Sequence, residues 1–225
     1  ADAAANAVRK TCWDDTRKLI ADTPSKKTFS QHGTILGGLA DVVPKQDWKT
    51  AMETVINDGV PKKQWEKRQK EAFEAGAFAQ CSLYFRFYLH MAAEKAGLGD
   101  EYLSMLKPWR DTLALGLTTW PETPGEARSE CHAWSSAPTS DLLSIVCGIK
   151  PEKPGFASVR VAPHPGSLEW AKCEVPHPNG AIKVSLKKEK GKTSADIELP
   201  PGTPGVFEWK GKTSPLKPGK QKVVF

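Results

Sequence analysis

The chain has 225 residues, 39% of them hydrophobic, with eight tryptophans and a formal net charge of +6. That is enough for one large domain or two small ones with a real core, and it excludes a disordered chain. No apolar run approaches the ~18–20 residues a membrane-spanning helix needs, and five scattered cysteines without CxxC or metal-ligand spacing argue against a disulfide framework and a zinc module.

The opening ADAAANAVRK has no charged start followed by an apolar stretch, so it reads as the middle of a helix and not as a secretory leader. Ala4 to Trp13 is expected to be helical, with Val8 and Cys12 on one face, and WDDTRKLIADTP to be a turn-rich connector. Ser30 is a good N-cap for a helix through Ile35, Leu36 and Leu39 that ends near Val42. Pro44 can start the next helix, with Trp48, Met52, Val55 and Ile56 as its buried stripe and Gly59 as its stop. The charged segment KKQWEKRQKEAFEAG leads into the most apolar helix, expected from Phe78. Leu83, Tyr84, Phe85, Phe87, Tyr88 and Leu89 surround its axis, which predicts burial nearly all round. Arg86 and His90 within it read most plainly as a snorkelling arginine and a core histidine. Short helical pieces over Asp100–Met105 and Trp109–Leu117, then a helix from Pro138 to Cys147 closed by Gly148, complete six or seven helices in hairpins.

After Gly148 the apolar period changes to two. SVRVAP, EWAKCEV, AIKVSLKKE, SADIELP, GVFEWKG and KVVF alternate between Pro and Gly turns, which predicts a small antiparallel β-sandwich. Charge and proline divide at the same place. Residues 1–150 hold 19 Lys and Arg against 19 Asp and Glu, and residues 151–225 hold 13 against 7; the prolines divide 7 and 11. Two domains, 1–150 helical and 151–225 all-β, are therefore expected. Lys183, Lys187, Lys188, Lys190 and Lys192 read as a solvated face that protects sheet edges. Nucleic-acid binding is not expected, since no stacking platform or known module accompanies them.

Polar functional groups crowd into GLTTWPETPGEARSECHAW, residues 116–134, a loop between helices with three glutamates, an arginine, a histidine and two tryptophans. Loops at the mouth of a scaffold carry sites. Tryptophan offers a flat face to a sugar ring and carboxylates supply acid, base or hydroxyl recognition. Solvated loop residues are the plainer reading.

GLTTWPETP, ARSECHAWSSAP and LLSIVCGIKPEKPGFASVRVAP resemble the C-terminal portion of bacterial α-L-rhamnosidases of glycoside hydrolase family 78. That family has a Thr-rich turn ending in Trp and Glu, then R-S-x-C/N-H-A, a helix ending G-I-x-P, and P-G-F before closing strands. TFSQHGTILGGLADVVP and YFRFYLHMAAEKAGLGDEYLSMLKPWRDTLALGLTTW are similar to helices of its barrel. The resemblance implies a mainly α part followed by an all-β part: about half of the helices of an (α/α)6 barrel, then a β-sandwich. It implies inverting removal of terminal α-L-rhamnose from plant glycosides or polysaccharides, without cofactor or metal. The general base falls on Glu122, with Pro121 inserted between it and Trp120. His132 falls on the pocket histidine; Trp120, Trp134 and Arg128 are further pocket candidates, and Gln31, His32 and Tyr84 the outermost ones. The acidic segment that carries the family's general acid has no counterpart here, and Asp14-Asp15 matches a structural turn. The expected partners are a rhamnose-containing glycoside or polysaccharide and either the missing half of the barrel or a second copy; nucleic acid and membrane are not among them. The compartment stays open, with a periplasmic or secreted parent enzyme compatible. A non-catalytic sugar-binding or half-barrel module, and a lysine-rich sandwich lying against an acidic polysaccharide, are the competing readings.

Overall fold

Alternating and helical segments fold as mixed α and β structure in a computed structural model that describes residues 1–57, 78–123, 128–189 and 191–225. The chain divides into two compact units, Ala1–Leu98 with Ser104–Ala137, and Gly99–Leu103 with Pro138–Phe225. The expected stop at Gly59, the charged segment 62–76, Glu126 and Lys190 lie outside the described residues.

In the first unit α1 (Asp2–Cys12) has no fully buried residue. Arg9 ties it down: its guanidinium donates to the carbonyls of Val42 at 2.9 Å and Asp41 at 3.1 Å. The expected connector is ordered as a small hairpin, β1 (Trp13–Asp14) against β2 (Leu19–Ile20), with Trp13 facing Ile20. After β3 (Phe29–Ser30) comes α2 (Gln31–Leu39). Ser30 stands at its N-cap position, but its hydroxyl donates to Asp22 at 2.7 Å and makes no cap bond. The glycines of α2 are close-contact positions. Gly37 lies under Ile20, and a Cβ on Gly38 would sit 1.8 Å from the Trp48 ring. A short 3-10 turn (Lys45–Asp47) leads into α3 (Trp48–Ile56), whose Met52 and Val55 are buried as the stripe predicts.

One expectation is corrected at Phe78. Phe78–Ala79 is a strand, β4, paired in parallel with β3, and the helix α4 runs only from Arg86 to Lys95. Ser82 explains the late start, because its carbonyl and hydroxyl accept from the N–H groups of Arg86 and Phe85. Nor is α4 buried all round. Leu89, His90, Ala92 and Ala93 are buried, while Tyr84, Phe87 and Met91 are 44%, 39% and 42% exposed. Lys95, in its last turn, donates to the carbonyls of Gly38 and Leu39 at 3.2 and 3.1 Å, satisfying the end of α2. The helices α5 (Tyr102–Met105) and α6 (Lys107–Ala114) then approach the polar loop.

In the second unit the helical stretch widens into a π turn at Leu142–Val146. Gly148 ends it at φ +72°, where a Cβ would meet the Ala162 carbonyl carbon at 2.1 Å; only glycine fits both demands. Two four-stranded sheets follow. One has the order β11 (Lys212–Leu216), β10 (Gly205–Trp209), β6 (Val159–Val161), β5 (Ile149–Pro151). The other has the order β12 (Gly219–Val224), β9 (Lys192–Leu199), β8 (Gly180–Glu189), β7 (Trp170–His177). Alternate residues of both, Ile182, Val184, Leu186, Ile197, Val159 and Phe207 among them, form one buried cluster. The expectation of a wholly antiparallel arrangement is corrected at one junction: β6 and β10 pair in parallel, Gly205 facing Val159. Arg160 holds that junction from outside, pairing with Glu152 at 2.7 Å and with Glu208.

Candidate functional site

The loop after α6 is held in shape by its own main chain. The Thr119 hydroxyl donates to the Glu130 carbonyl, the Glu122 N–H to the Ser129 carbonyl at 2.8 Å, and the His132 N–H to the Trp120 carbonyl at 2.6 Å. Two limbs, 119–122 and 129–132, are thus laced together. Pro121 is buried while its neighbours Trp120 and Glu122 are not. The buried proline that stands between Trp120 and Glu122 anchors this limb of the loop.

Glu122 is held by Arg128 in a two-pronged ion pair, Nε to Oε2 at 3.2 Å and Nη2 to Oε1 at 2.9 Å. The carboxylate side is 17% exposed and the guanidinium side 81%. Both partners come from the one loop, so the pair does not depend on any distant segment. A carboxylate offers about four lone-pair positions. Arg128 takes one on each oxygen, which leaves an acceptor on each for water or a sugar hydroxyl.

From His132, on the second limb of the loop, runs a chain of ring contacts. His132 lies 4.2 Å from Trp134, and Trp134 lies 5.5 Å from Tyr84. Tyr84 meets Tyr88 edge-on at 6.3 Å; Tyr88 lies 5.1 Å from Phe85, and Phe85 4.3 Å from His32. Four predicted residues, His132, Trp134, Tyr84 and His32, are therefore joined, through two that the sequence reading assigned to the core, Phe85 and Tyr88. Tyr88 is hydrogen-bonded to Tyr84, which holds its phenol above the usual pKa and keeps it a neutral donor. The far end of the loop is pinned by the Trp109 indole, whose N–H donates to the Ser135 carbonyl at 2.8 Å. The ring of the core residue His90 lies 5.6 Å from that of Trp109.

Trp120 is 37% exposed and reaches the group through its main-chain carbonyl. Gln31 stands apart from it. Its side chain is 1% exposed, its amide oxygen accepts the Cys81 N–H at 2.8 Å, and its amide nitrogen donates to the Val55 carbonyl at 3.1 Å. Each end of the Gln31 amide makes one bond, and the two bonds join α3 to the segment before α4. Among the described residues no three His, Cys, Asp or Glu side chains converge as a metal site would require.

Comparison with known proteins adds to this geometry. Residues 148–222 match the family model described as Bacterial alpha-L-rhamnosidase C-terminal domain. No curated protein matches the chain. Among solved structures, the family GH78 rhamnosidase of Bacillus sp. GL1 is 25% identical with a TM-score of 0.75, over 92% of this chain and 22% of that one. The α-L-rhamnosidase of Aspergillus terreus is 20% identical with a TM-score of 0.72, over 98% of this chain and 26% of that one. That of Dictyoglumus thermophilum is 16% identical with a TM-score of 0.76, over 99% of this chain and 28% of that one. The likeness to α-L-rhamnosidases read from the motifs is thus shown, by the family model over the C-terminal third and by the solved structures over most of the chain. The chain spans only 22–28% of those proteins' length.

Proposed function

We propose that this chain, whose C-terminal third matches a rhamnosidase domain, is the C-terminal portion of an inverting glycoside hydrolase that releases terminal α-L-rhamnose from plant glycosides or polysaccharides. In this reading residues 1–150 supply helical hairpins of one half of an (α/α)6 barrel, and residues 151–225 a closing β-sandwich. Glu122 is the general base. The observation that carries the assignment is its carboxylate, oriented by Arg128 in a loop whose main-chain bonds join the limb of Trp120 and Glu122 to that of His132.

Inversion requires a base that activates water on one face of the sugar while an acid protonates the leaving oxygen from the other, the two carboxyl groups about 6.5–9.5 Å apart. Glu122 has two free acceptor positions for such a water. Arg128 fixes its direction. His132 supplies hydrogen bonds to sugar hydroxyls, and Trp134 with Tyr84 offers apolar ring faces to the C–H side of the sugar. No residue of this chain is assigned as the acid. In the whole enzyme, Glu122→Gln lowers hydrolysis of an aryl α-L-rhamnoside by about 10²–10⁴-fold with an unchanged circular dichroism spectrum. Activity within a few fold of the parent would overturn the assignment.

A second reading is favoured by length. In it, the 225 residues act as a sugar-binding or half-barrel module with no turnover of their own; the chain spans 22–28% of the solved rhamnosidases it matches. Aryl rhamnoside hydrolysis by the isolated 225 residues, measured beside their size-exclusion mass, separates the two: turnover at the parent's rate would remove the second reading.

A further inference from the structure

Outside the loop site, one surface combines a cleft, an exposed ring and a lysine, Lys172, for which no ion pair is found among the described residues. It lies on the outer face of the sheet of β7 and β8, where Trp170 stands directly opposite Lys187 and Lys172 opposite Ser185. The Glu169 carbonyl accepts the Lys188 N–H at 2.7 Å and carries the ladder one residue further. Trp170, Lys172, Ser185 and Lys187 on this face, with Glu169, Leu186 and Lys188 of the opposite pleat, line a cleft of about 250 Å³. Trp170 is 70% exposed, the most exposed large hydrophobic side chain among the described residues.

The charges around it are uneven. Elsewhere on this sheet Lys183 pairs with Glu174 at 3.5 Å and Lys222 with Asp196 at 4.0 Å; within the cleft Lys187 pairs with Glu189 at 2.6 Å. Among the described residues no ion pair is found for Lys172 or Lys188. Lys172 lies two residues along the strand from Trp170, about 7 Å away, and Lys187 about 5 Å across. Those backbone spacings put both lysines on the ring's face of the sheet, within reach of a ligand seated on the indole. An aromatic face takes the C–H side of a sugar ring, and an ammonium beside it takes a ring carboxylate.

We propose that this cleft is a second carbohydrate site, separate from the loop of Glu122, and that it binds uronate residues of an acidic polysaccharide. A single ring with the cation of Lys172 two residues along the same face suits one uronate unit. A nucleic-acid strand needs a continuous basic track with several stacking rings. The inference rests on the carbohydrate reading of the chain only for the choice of polymer, and its test reads binding without hydrolysis, so either can fail alone.

The test is calorimetric titration of the full chain with tetragalacturonate at low salt, with neutral galactotetraose and a single-stranded DNA oligonucleotide as comparisons. The acidic oligosaccharide binds and the neutral one does not. Trp170→Ala weakens binding about tenfold, on the scale of one lost stacked ring. Lys172→Gln weakens it, and Glu169→Gln tightens it by removing a like charge. Trp170 is so exposed that its loss leaves the fold intact, which circular dichroism checks. No binding, binding indifferent to Trp170→Ala, weakening by Glu169→Gln, or equally tight DNA binding would each overturn the proposal.

Discussion

Gln31→Leu tests whether the residue that opens α2 serves the fold or a ligand. Leucine nearly matches the volume but leaves the Cys81 N–H and the Val55 carbonyl without the partners now held at 2.8 and 3.1 Å. Each buried backbone group deprived of its bond costs about 1–3 kcal/mol. Burying the leucine methyls in place of an amide returns roughly 1–2 kcal/mol, so the mid-range values leave a net loss of about 2.5 kcal/mol. Urea unfolding followed by helical dichroism measures it, since α2, α3 and α4 all depend on this junction. Gln31→Glu sharpens the test. A protonated glutamic acid can accept from Cys81 and donate to Val55, as the amide does, whereas the carboxylate cannot donate and is penalised by burial. Its folded pKa is therefore raised, so the variant is close to wild type at acidic pH and loses stability as pH rises through that pKa. A Gln31→Leu loss below about 0.5 kcal/mol, or a Gln31→Glu variant with the wild-type pH profile, would refute the structural role and return Gln31 to the ligand.

Gly38→Ala places a Cβ 1.8 Å from the Trp48 ring, and the indole must leave its seat; a loss of about 2–3 kcal/mol is expected, read as a lower melting temperature, and an unchanged one would mean that Trp48 does not pack on α2. Burial pushes the Cys81 thiol up to about 11 from its usual 9.0. The neutral thiol is the form the fold accepts, so the stability it contributes is present below about pH 9 and is lost as pH rises through about 11. Two pK units correspond to about 2–3 kcal/mol. Unfolding at pH 8 and pH 10.5 compared between wild type and Cys81→Ala isolates that slope, and identical slopes would show the thiol to be solvated.

The parts of this chain that could be read from its sequence are those whose causes are local. Alternation places Ile182, Val184 and Leu186 inward and Lys183 and Lys187 outward, because one strand's pleat is enough to decide it. Gly148 could be named as a stop for the same reason. In the second unit the strands that escaped, β5 and β11, are the two edges of their sheet. They are short or interrupted by Pro215, which an edge tolerates, and so lack the alternation that reveals a central strand. The parallel junctions β3–β4 and β6–β10 join residues about fifty positions apart. Nothing in Phe78–Ala79 distinguishes a strand from a helix start until Phe29 lies beside it.

The candidate site divides along the same line. Composition marked the loop, and a six-residue separation lets Arg128 reach Glu122 whatever the rest of the chain does. The aromatic run YFRFY carried the opposite ambiguity. Its spacing was compatible with a fully buried helix, whereas α4 keeps one face and leaves Tyr84 and Phe87 outside the core, where Tyr84 meets Trp134. Gln31 is the sharpest case. A buried amide with no partner would be a binding group in waiting, and the same amide between Val55 and Cys81 is a strut. The contact that decides between them spans 50 residues. Polar residue type therefore told where chemistry is possible, and the assignment of each group to ligand or to fold depended on whether distant main chain had already claimed its hydrogen bonds.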